Sequence, residues 1–125
     1  MADKAWKAWE REVARDHGGT RSGPTGRDTP DVTGVPLIAP ECKYQAKLLF
    51  KEADMEQARE NAAKVSLMPV VFLKEKQTNR RAVRLDYADW LRIFKLACVG
   101  AQVEERILRA SMAPDPEPLT RSDFT

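Results

Sequence analysis

Residues 29–43 read TPDVTGVPLIAPECK, a segment in which strand-forming apolar residues separate an early aspartate from a late glutamate and lysine. The strand formers of this segment are Val32, Val35, Leu37 and Ile38. Gly34 lies between them and is the residue best suited to a turn. The pattern therefore predicts a short β-hairpin that runs from Asp31 to Lys43.

Three charged residues of this segment, Asp31, Glu41 and Lys43, are candidates for a chemical site. Side chains alternate between the two faces of a strand, so Glu41 and Lys43 are expected to project on the same side. Pro40 directly precedes Glu41 and cannot donate a hydrogen bond to a sheet. We therefore expect either a β-bulge at Pro40 or a strand whose backbone faces an edge there.

Upstream of this segment, residues 3–16 are predicted to form an amphipathic helix with Asp3 as its cap. Its predicted buried stripe consists of Ala2, Trp6, Trp9 and Val13. Glu10 lies at the edge of this stripe and is either placed to reach a neighbouring element or a solvated helix carboxylate. Residues 17–28 contain four glycines and a proline, which predicts that the helix ends and a mobile loop follows.

Downstream of the segment, helical and strand patterns alternate. The predicted elements are a helix over 51–65 with Met55, Ala58, Ala62 and Val65 buried, strands over 69–74 and 82–87, and helices over 88–97 and 99–112. Gly100 is expected to separate the last two helices. The order predicts one α/β domain over residues 1–112, with a small mixed β-sheet flanked by helices. Residues 113–125 are rich in proline and acidic residues and are predicted to be a disordered tail.

The overall charge identifies no partner, but its distribution is uneven. The 125 residues carry a formal net charge of only +2, and their length allows one domain with a core. Basic residues are concentrated in two places: Lys4, Lys7, Arg11, Arg15, Arg21 and Arg27, and then Lys74, Lys76, Arg80, Arg81 and Arg84. Such clusters either bind a phosphate backbone or form solvated faces.

The cysteines and the amino terminus bear on location. Cys42 and Cys98 form no CxxC pair, which indicates neither a disulfide framework nor a zinc site and favours a reducing compartment. The first residues, MADKAWKAWERE, carry charges where a signal peptide needs an apolar run, and no segment has the length of a membrane span. The expected location is the cytoplasm, or the host cytoplasm if the protein is viral.

The charged residues suit hydrolysis of a phosphodiester. Asp31, Glu41 and the backbone carbonyl of Cys42 are hard oxygen ligands for Mg²⁺, for which Mn²⁺ is expected to substitute. Lys43 would orient the attacking water or stabilise the developing charge, and Glu10 would add a ligand or bind a metal-held water. The opposing interpretation is a surface salt bridge between Glu41 and Lys43.

The loop before the acidic segment is suited to contact DNA. Its many free backbone groups and its polar side chains can lie along a sugar-phosphate chain. Side chains expected to donate to phosphate oxygens are Arg21, Ser22, Thr25 and Arg27, and Arg11 and Lys47 complete the predicted DNA-binding surface.

The set Glu10, Pro30-Asp31 and Glu41-Cys42-Lys43 resembles the PD-(D/E)xK nuclease superfamily. More narrowly, WEREVARDHGGTRSG followed by PDV and ECK resembles the archaeal-type Holliday-junction resolvases, which also occur in viruses. The resemblance implies a restriction-endonuclease-like core and a homodimeric, Mg²⁺-dependent enzyme that nicks two strands symmetrically at a four-way DNA junction. It also implies catalytic roles for Glu10, Asp31, Glu41 and Lys43. Arg21 and Ser22 would approach the DNA backbone, and Gln57 would be a polar residue near the site.

Two other functions remain open from the sequence. One is another nuclease of this superfamily, restriction-like or exonucleolytic, without preference for branched DNA. The other is a non-catalytic DNA-binding or assembly module whose acidic residues serve solubility. A homodimer would use either the apolar stripe around Val99, Val103 and Ile107 or the strand pair over 69–87, and packing within one chain would explain the stripe equally well.

Overall fold

The computed structural model describes residues 4–23 and 29–112 and has a mixed α/β fold. Its elements are α1 (Ala5–His17), β1 (Thr20–Arg21), β2 (Val32–Thr33), β3 (Ile38–Gln45), α2 (Glu52–Val65), β4 (Met68–Glu75), β5 (Arg81–Leu85) and α3 (Tyr87–Met112). The predicted alternation of helices and strands is confirmed up to residue 86, with the addition of the short strand β1, but one helix takes the place of the two predicted after it. The predicted disordered tail and Asp3 lie outside the described residues.

The strands of the described residues form two sheets. The larger has the order β3-β4-β5, with β3 parallel to β4 and β4 antiparallel to β5, and the smaller pairs β1 with β2 in antiparallel fashion. The parallel pair requires a crossover, which α2 provides. The predicted hairpin within residues 31–43 is therefore wrong. Positive φ angles at Gly34 and Leu37 (80° and 73°) change the direction of the chain between β2 and β3. As a result β2 pairs with the preceding strand β1, whereas β3 belongs to the larger sheet.

Pro40 lies at an outer edge of the larger sheet. The register between β3 and β4 is continuous, with Pro40 opposite Val70, so β3 contains no bulge. β3 has β4 on one side only, and on its other side the carbonyl of Pro40 accepts a hydrogen bond from the Asp31 amide at 3.0 Å. A proline is tolerated there because its missing N–H points away from the ladder. The edge alternative is confirmed.

The two faces of the larger sheet pack against different helices. On one face Trp9 and Val13 of α1 form a buried cluster with Val32, Val35, Val70 and Phe72. On the other face Met55 and Ala58 of α2 pack against Val71 and Leu73. Alternate residues of β4 therefore serve opposite clusters, which is the strand period of two. The predicted buried face of α2 is confirmed except at Val65, which is 42% exposed, whereas Asn61 is buried.

Glycines close the connection from α1 to β1. Gly18 follows the helix in the left-handed conformation, with φ of 72°, and its amide donates back to the carbonyl of Arg15. Gly19 lies so close to β2 that an added Cβ would be 2.6 Å from the Thr33 carbonyl oxygen. Only glycine allows this approach, which positions β1 and the start of β2 for the site described below.

Contacts divide the chain into two compact units, residues 1–90 and 91–125. The prediction of a single domain over 1–112 stays a prediction. In the described part of the second unit the chain is helical from Leu91 to Met112, and α3 continues through Gly100 without a break. The predicted separation at Gly100 is wrong, because one glycine weakens a helix by only about 1 kcal/mol. Among the described residues, no helix is both long and apolar enough to cross a membrane.

Candidate active site

Asp31 is held at the edge of β3 through its backbone and its side chain. Its carbonyl accepts the Ser22 amide at 2.9 Å, and its own amide donates to Pro40. Its Oδ2 atom accepts the backbone N–H of Cys42 at 2.7 Å. The short strands β1 and β2 thus carry an acidic side chain onto the middle of β3.

Glu41 is the most buried carboxylate of this region, with only 4% of its surface exposed. Its Oε2 atom accepts a hydrogen bond from Asn61 Nδ2 of α2 at 3.2 Å. Burial raises the pKa of Glu41 to about 7, and the negative charge of nearby Asp31 adds to this effect, whereas the Asn61 amide and the charge of Lys43 oppose it. The expectation of a surface salt bridge with Lys43 does not describe this glutamate.

Lys43 projects on the same side of β3 as Glu41, as the strand period predicts, and faces α2. Its Nζ atom donates to Gln57 Oε1 at 3.0 Å and lies 3.8 Å from Asp54 Oδ1. Asp54 in turn accepts a hydrogen bond from Gln45 Nε2 at 3.1 Å. The ammonium group is therefore oriented by two side chains of one helix while its charge still acts on Glu41.

Glu10 is buried at 8% exposure, so the expectation of a solvated helix carboxylate is wrong. Its Oε1 atom accepts a hydrogen bond from Arg21 Nε at 2.7 Å, and the Arg21 guanidinium also lies 5.6 Å from the centre of the Trp6 ring. Burial raises the pKa of Glu10, the hydrogen bond from Arg21 lowers it, and the charge of Asp31 raises it again. Glu10 is thus close enough to Asp31 to feel its charge but is bound to its own cation.

Cys42 lies between the two catalytic candidates of β3 and faces the first core cluster with its side chain. Burial and the charges of Asp31, Glu10 and Glu41 raise the pKa of its thiol, so the sulfur stays protonated. The N–H of Cys42 points toward Asp31. In a β-strand the N–H and the C=O of the same residue point to the same side of the strand. The carbonyl of Cys42 therefore faces the edge at which Asp31 lies.

The residues at this edge fit a hard divalent cation. Within residues 4–23 and 29–112, no three His, Cys, Asp or Glu side chains are grouped so that they could hold a metal ion by themselves. What the edge offers is two carboxylates, Asp31 and Glu41, and a backbone carbonyl. Mg²⁺ is commonly held by one or two carboxylates with water and substrate phosphate as its other ligands. Burial and, after it, the negative charge of Asp31 raise the pKa of Glu41, and a bound cation would oppose both effects.

The residues predicted to bind DNA are not equally available. Arg21 is engaged with Glu10, and the hydroxyl of Ser22 donates to the Pro30 carbonyl. Gln57 is exposed but accepts from Lys43, and Arg11 and Lys47 are exposed. Arg27 and Thr25 lie outside the described residues. Arg21 and Ser22 thus have structural roles in the loop, and their DNA contacts stay predictions.

Part of the second basic cluster is already paired within the protein. Arg81 Nε lies 2.6 Å from Glu12 Oε2, and Lys74 Nζ lies 3.6 Å from the other oxygen of the same glutamate. Arg84 pairs with Glu52 at 2.6 Å. These three cations therefore have structural partners within the protein, and phosphate binding by this cluster stays a prediction.

Sequence reasoning missed Asp54 and gave Asn61 no role. Both lie with Gln57 in one stripe of α2, at spacings of three and four residues, beside the buried apolar stripe. That polar stripe was the signal in the sequence for a site on α2. Amide and carboxylate groups that border a buried helix face lose contact with water and therefore need hydrogen-bond partners in the protein. Sequence offered no way to learn that their partners are Glu41 and Lys43.

The described residues thus bring Asp31, Glu41, Lys43 and their α2 partners together, with Glu10 and Arg21 close by. A comparison with protein-family models and with curated proteins finds no match to this chain. What the site can do is therefore inferred from its own chemistry.

Proposed function

We propose that the protein is a Mg²⁺-dependent endonuclease acting on branched DNA, and that it resolves four-way junctions by paired symmetric nicks. The observation that carries the proposal is the convergence of Asp31, which directly precedes β2, and Glu41 of β3, with Lys43 on the same face of β3 as Glu41. The unit formed by α1, the two sheets and α2 would be a restriction-endonuclease-like core. Its parallel β3-α2-β4 crossover supports that assignment.

The role of each side chain follows from where it lies. Asp31, Glu41 and the Cys42 carbonyl would hold the cation, which supplies charge stabilisation and a more acidic bound water. Asn61 donates a hydrogen bond to Oε2 of Glu41, which would hold this carboxylate in one orientation for the cation. Lys43, fixed by Gln57 and Asp54, would direct its ammonium at the scissile phosphate, where negative charge increases during cleavage. Glu10 would accept a hydrogen bond from water in the site or add a ligand if Arg21 moves away.

Junction selectivity requires two cuts on opposing strands, and a homodimer with one site per chain would provide them. The exposed cations Arg11 and Lys47 would contact phosphates, which gives binding that weakens as salt rises but depends little on base sequence.

The test compares a mobile four-way junction with a linear duplex of matched sequence, each labelled on one strand at a time, in Mg²⁺ and in EDTA. Wild type should give paired symmetric nicks in the junction only, and only with Mg²⁺. Glu41→Gln should bind but not cut, whereas Glu60→Gln, a control on the exposed side of α2, should cut as wild type does. Lys43→Ala should lower the cleavage rate by about 10²–10³-fold with nearly unchanged binding.

Equal cutting of both substrates would replace junction resolution with a general nuclease of the same superfamily. Binding of DNA with no cleavage in Mg²⁺ or Mn²⁺ would favour the non-catalytic module. If Lys43→Ala weakened binding and cleavage in parallel, Lys43 would be a phosphate anchor and its catalytic assignment would be wrong.

A further inference from the structure

The helix α3 exposes an unusual amount of apolar surface. None of its 26 residues, all of which the structure describes, is buried. Large apolar side chains are about half exposed or more along the second unit, among them Leu96 (54%), Val103 (48%) and Ile107 (63%). Most helices in proteins depend on packing of an apolar face for their stability. The helical part of the second unit therefore has a face that requires a partner.

The spacing of that face identifies the kind of partner. An alternation of three and four residues connects Ile93, Leu96, Gly100, Val103, Ile107 and Ala110. This is the a/d pattern of a helix that packs along another helix, and no charged residue interrupts it over these positions. A second apolar strip on the other side of the helix, with Phe94, Ala101 and Leu108, is interrupted by the charge of Glu105. We call the first, uninterrupted strip the α3 seam.

The α3 seam is complementary to itself when two copies run antiparallel. A two-fold axis between Gly100 and Val103 places Leu96 against Ile107 and Ile93 against Ala110 of the second copy. It also places Val103 of one copy against Gly100 of the other, where an added Cβ would meet nothing within 4 Å. A parallel pair would instead set glycine against glycine and alanine against alanine, and would leave gaps that cost stability.

The flanks of the seam agree with this arrangement. In an antiparallel pair the e positions face each other and so do the g positions. Glu104 would then lie next to Ala97 of the second copy, and Arg106 next to Val99. No like charges meet, so nothing on the flanks opposes the pairing.

We infer that residues 93–110 form an antiparallel two-helix interface with a second copy of this chain. A self-complementary patch closes a two-fold dimer without leaving a free surface for further growth. The inference gives a surface to the homodimer of the proposed function. It does not depend on the metal site, and it is tested without DNA or divalent cation, so that the two can fail separately.

The test is sedimentation equilibrium of the full chain in EDTA over a micromolar concentration series. Wild type should have the mass of two chains, and Val103→Glu should raise the dissociation constant of the dimer by more than about 100-fold. Leu108→Glu is the matched control, because it removes an apolar side chain that is at least as exposed as Val103 from the other strip (58% against 48%). It should leave the dimer intact. Glutamate has a better helix propensity than valine and about the same propensity as leucine, so circular dichroism should show unchanged helix content in both variants.

Orientation is tested by cross-linking in a Cys98→Ser background. A97C/E104C should form a covalent dimer on oxidation, because these positions meet only between antiparallel copies and are two turns apart within one helix. V103C alone should not cross-link, since it meets its own counterpart only in a parallel pair. A single-chain mass for wild type, dissociation by Leu108→Glu but not by Val103→Glu, or cross-linking of V103C would each overturn the inference.

Discussion

Two buried glutamates near the same edge of the sheet, Glu10 and Glu41, differ in what compensates their charge. Glu10 is bonded at 2.7 Å to the Arg21 guanidinium, a full positive charge. Glu41 has the neutral amide of Asn61 at 3.2 Å and a second carboxylate, Asp31, close by. A carboxylate with its own cation is structurally complete, whereas a pair of carboxylates without one is suited to an external cation. The difference indicates where a metal ion would bind.

The difference in charge compensation between Glu10 and Glu41 is tested most strongly by the pH dependence of the free energy of unfolding. The pKa of Glu41 is raised from 4.5 to about 7 in the folded protein, so the folded state retains a proton that the unfolded state has lost between these values. Its contribution to the free energy of unfolding is therefore fully present below about pH 4.5 and is lost as the pH rises through about 7. We expect a loss on the order of 3 kcal/mol across this window.

Urea unfolding at several pH values measures this loss, and Glu41→Gln should remove most of it. Glu60→Gln, on the exposed side of the same helix, should keep the wild-type slope. At pH values above the window, Mg²⁺ should stabilise wild type but not Glu41→Gln, which is a readout of cation binding that needs no DNA. If wild type and Glu41→Gln lost stability equally with pH, the carboxylate pair would not have the charge imbalance argued above.

The second test concerns Glu10, the glutamate whose charge is compensated by Arg21. Arg21→Gln leaves the Glu10 carboxylate buried without its cation, and we expect the free energy of unfolding to decrease by about 2 kcal/mol at neutral pH. Glu10→Gln should cost less, and the double variant should cost less than the sum of the two, because the two residues form one ion pair. Chemical denaturation of the four proteins gives the coupling energy.

Arg15→Gln is the matched control, since Arg15 is a largely exposed arginine at the end of α1. Its effect should stay within about 0.5 kcal/mol. Strict additivity of Arg21→Gln and Glu10→Gln would mean that the short contact between them contributes nothing. Arg21 would then be available for the DNA contact that the sequence resemblance implies.

Much of this arrangement could be predicted from the sequence, because it depends on local periodicity. The strand period placed Glu41 and Lys43 on one face, and the helical spacing of Met55, Ala58 and Ala62 gave the buried face of α2. The edge position of the strand at Pro40 was one of two alternatives that followed from the missing backbone N–H of proline.

The remainder depends on long-range partners that local patterns do not contain. The hairpin prediction failed because strand formers on both sides of Gly34 look alike in sequence, whereas β2 pairs with β1 and β3 with β4. Arg21 was predicted to contact DNA because an exposed loop arginine and one that folds back onto a helix carboxylate have the same sequence signature. The partner of Lys43 in α2, Asp54, is 11 residues away and on another element, so no motif pointed to it.

The smallest effect is expected from replacing Asp54, the acidic partner of Lys43 in α2. Lys43 is held by both Gln57 and Asp54, and the ion pair with Asp54 is the longer contact at 3.8 Å. In Asp54→Asn the side chain can still accept a hydrogen bond from Gln45, so the helix should stay in place while the charge that orients Lys43 is lost. We expect a decrease of about tenfold in the single-turnover cleavage rate, with unchanged affinity for DNA.

Asp54→Glu, which keeps the charge, should recover most of that rate, and this recovery separates positioning of Lys43 from a general loss of packing. A variant that lowered DNA affinity instead would place Asp54 in the binding surface. We expect Lys43→Ala to be far more severe than Asp54→Asn. In the proposed mechanism Glu41 and Lys43 would act on the cation and the phosphate directly, whereas Asp54 would act only through its contact with Lys43. Equal losses in the two variants would mean instead that Asp54 itself holds the cation or the phosphate.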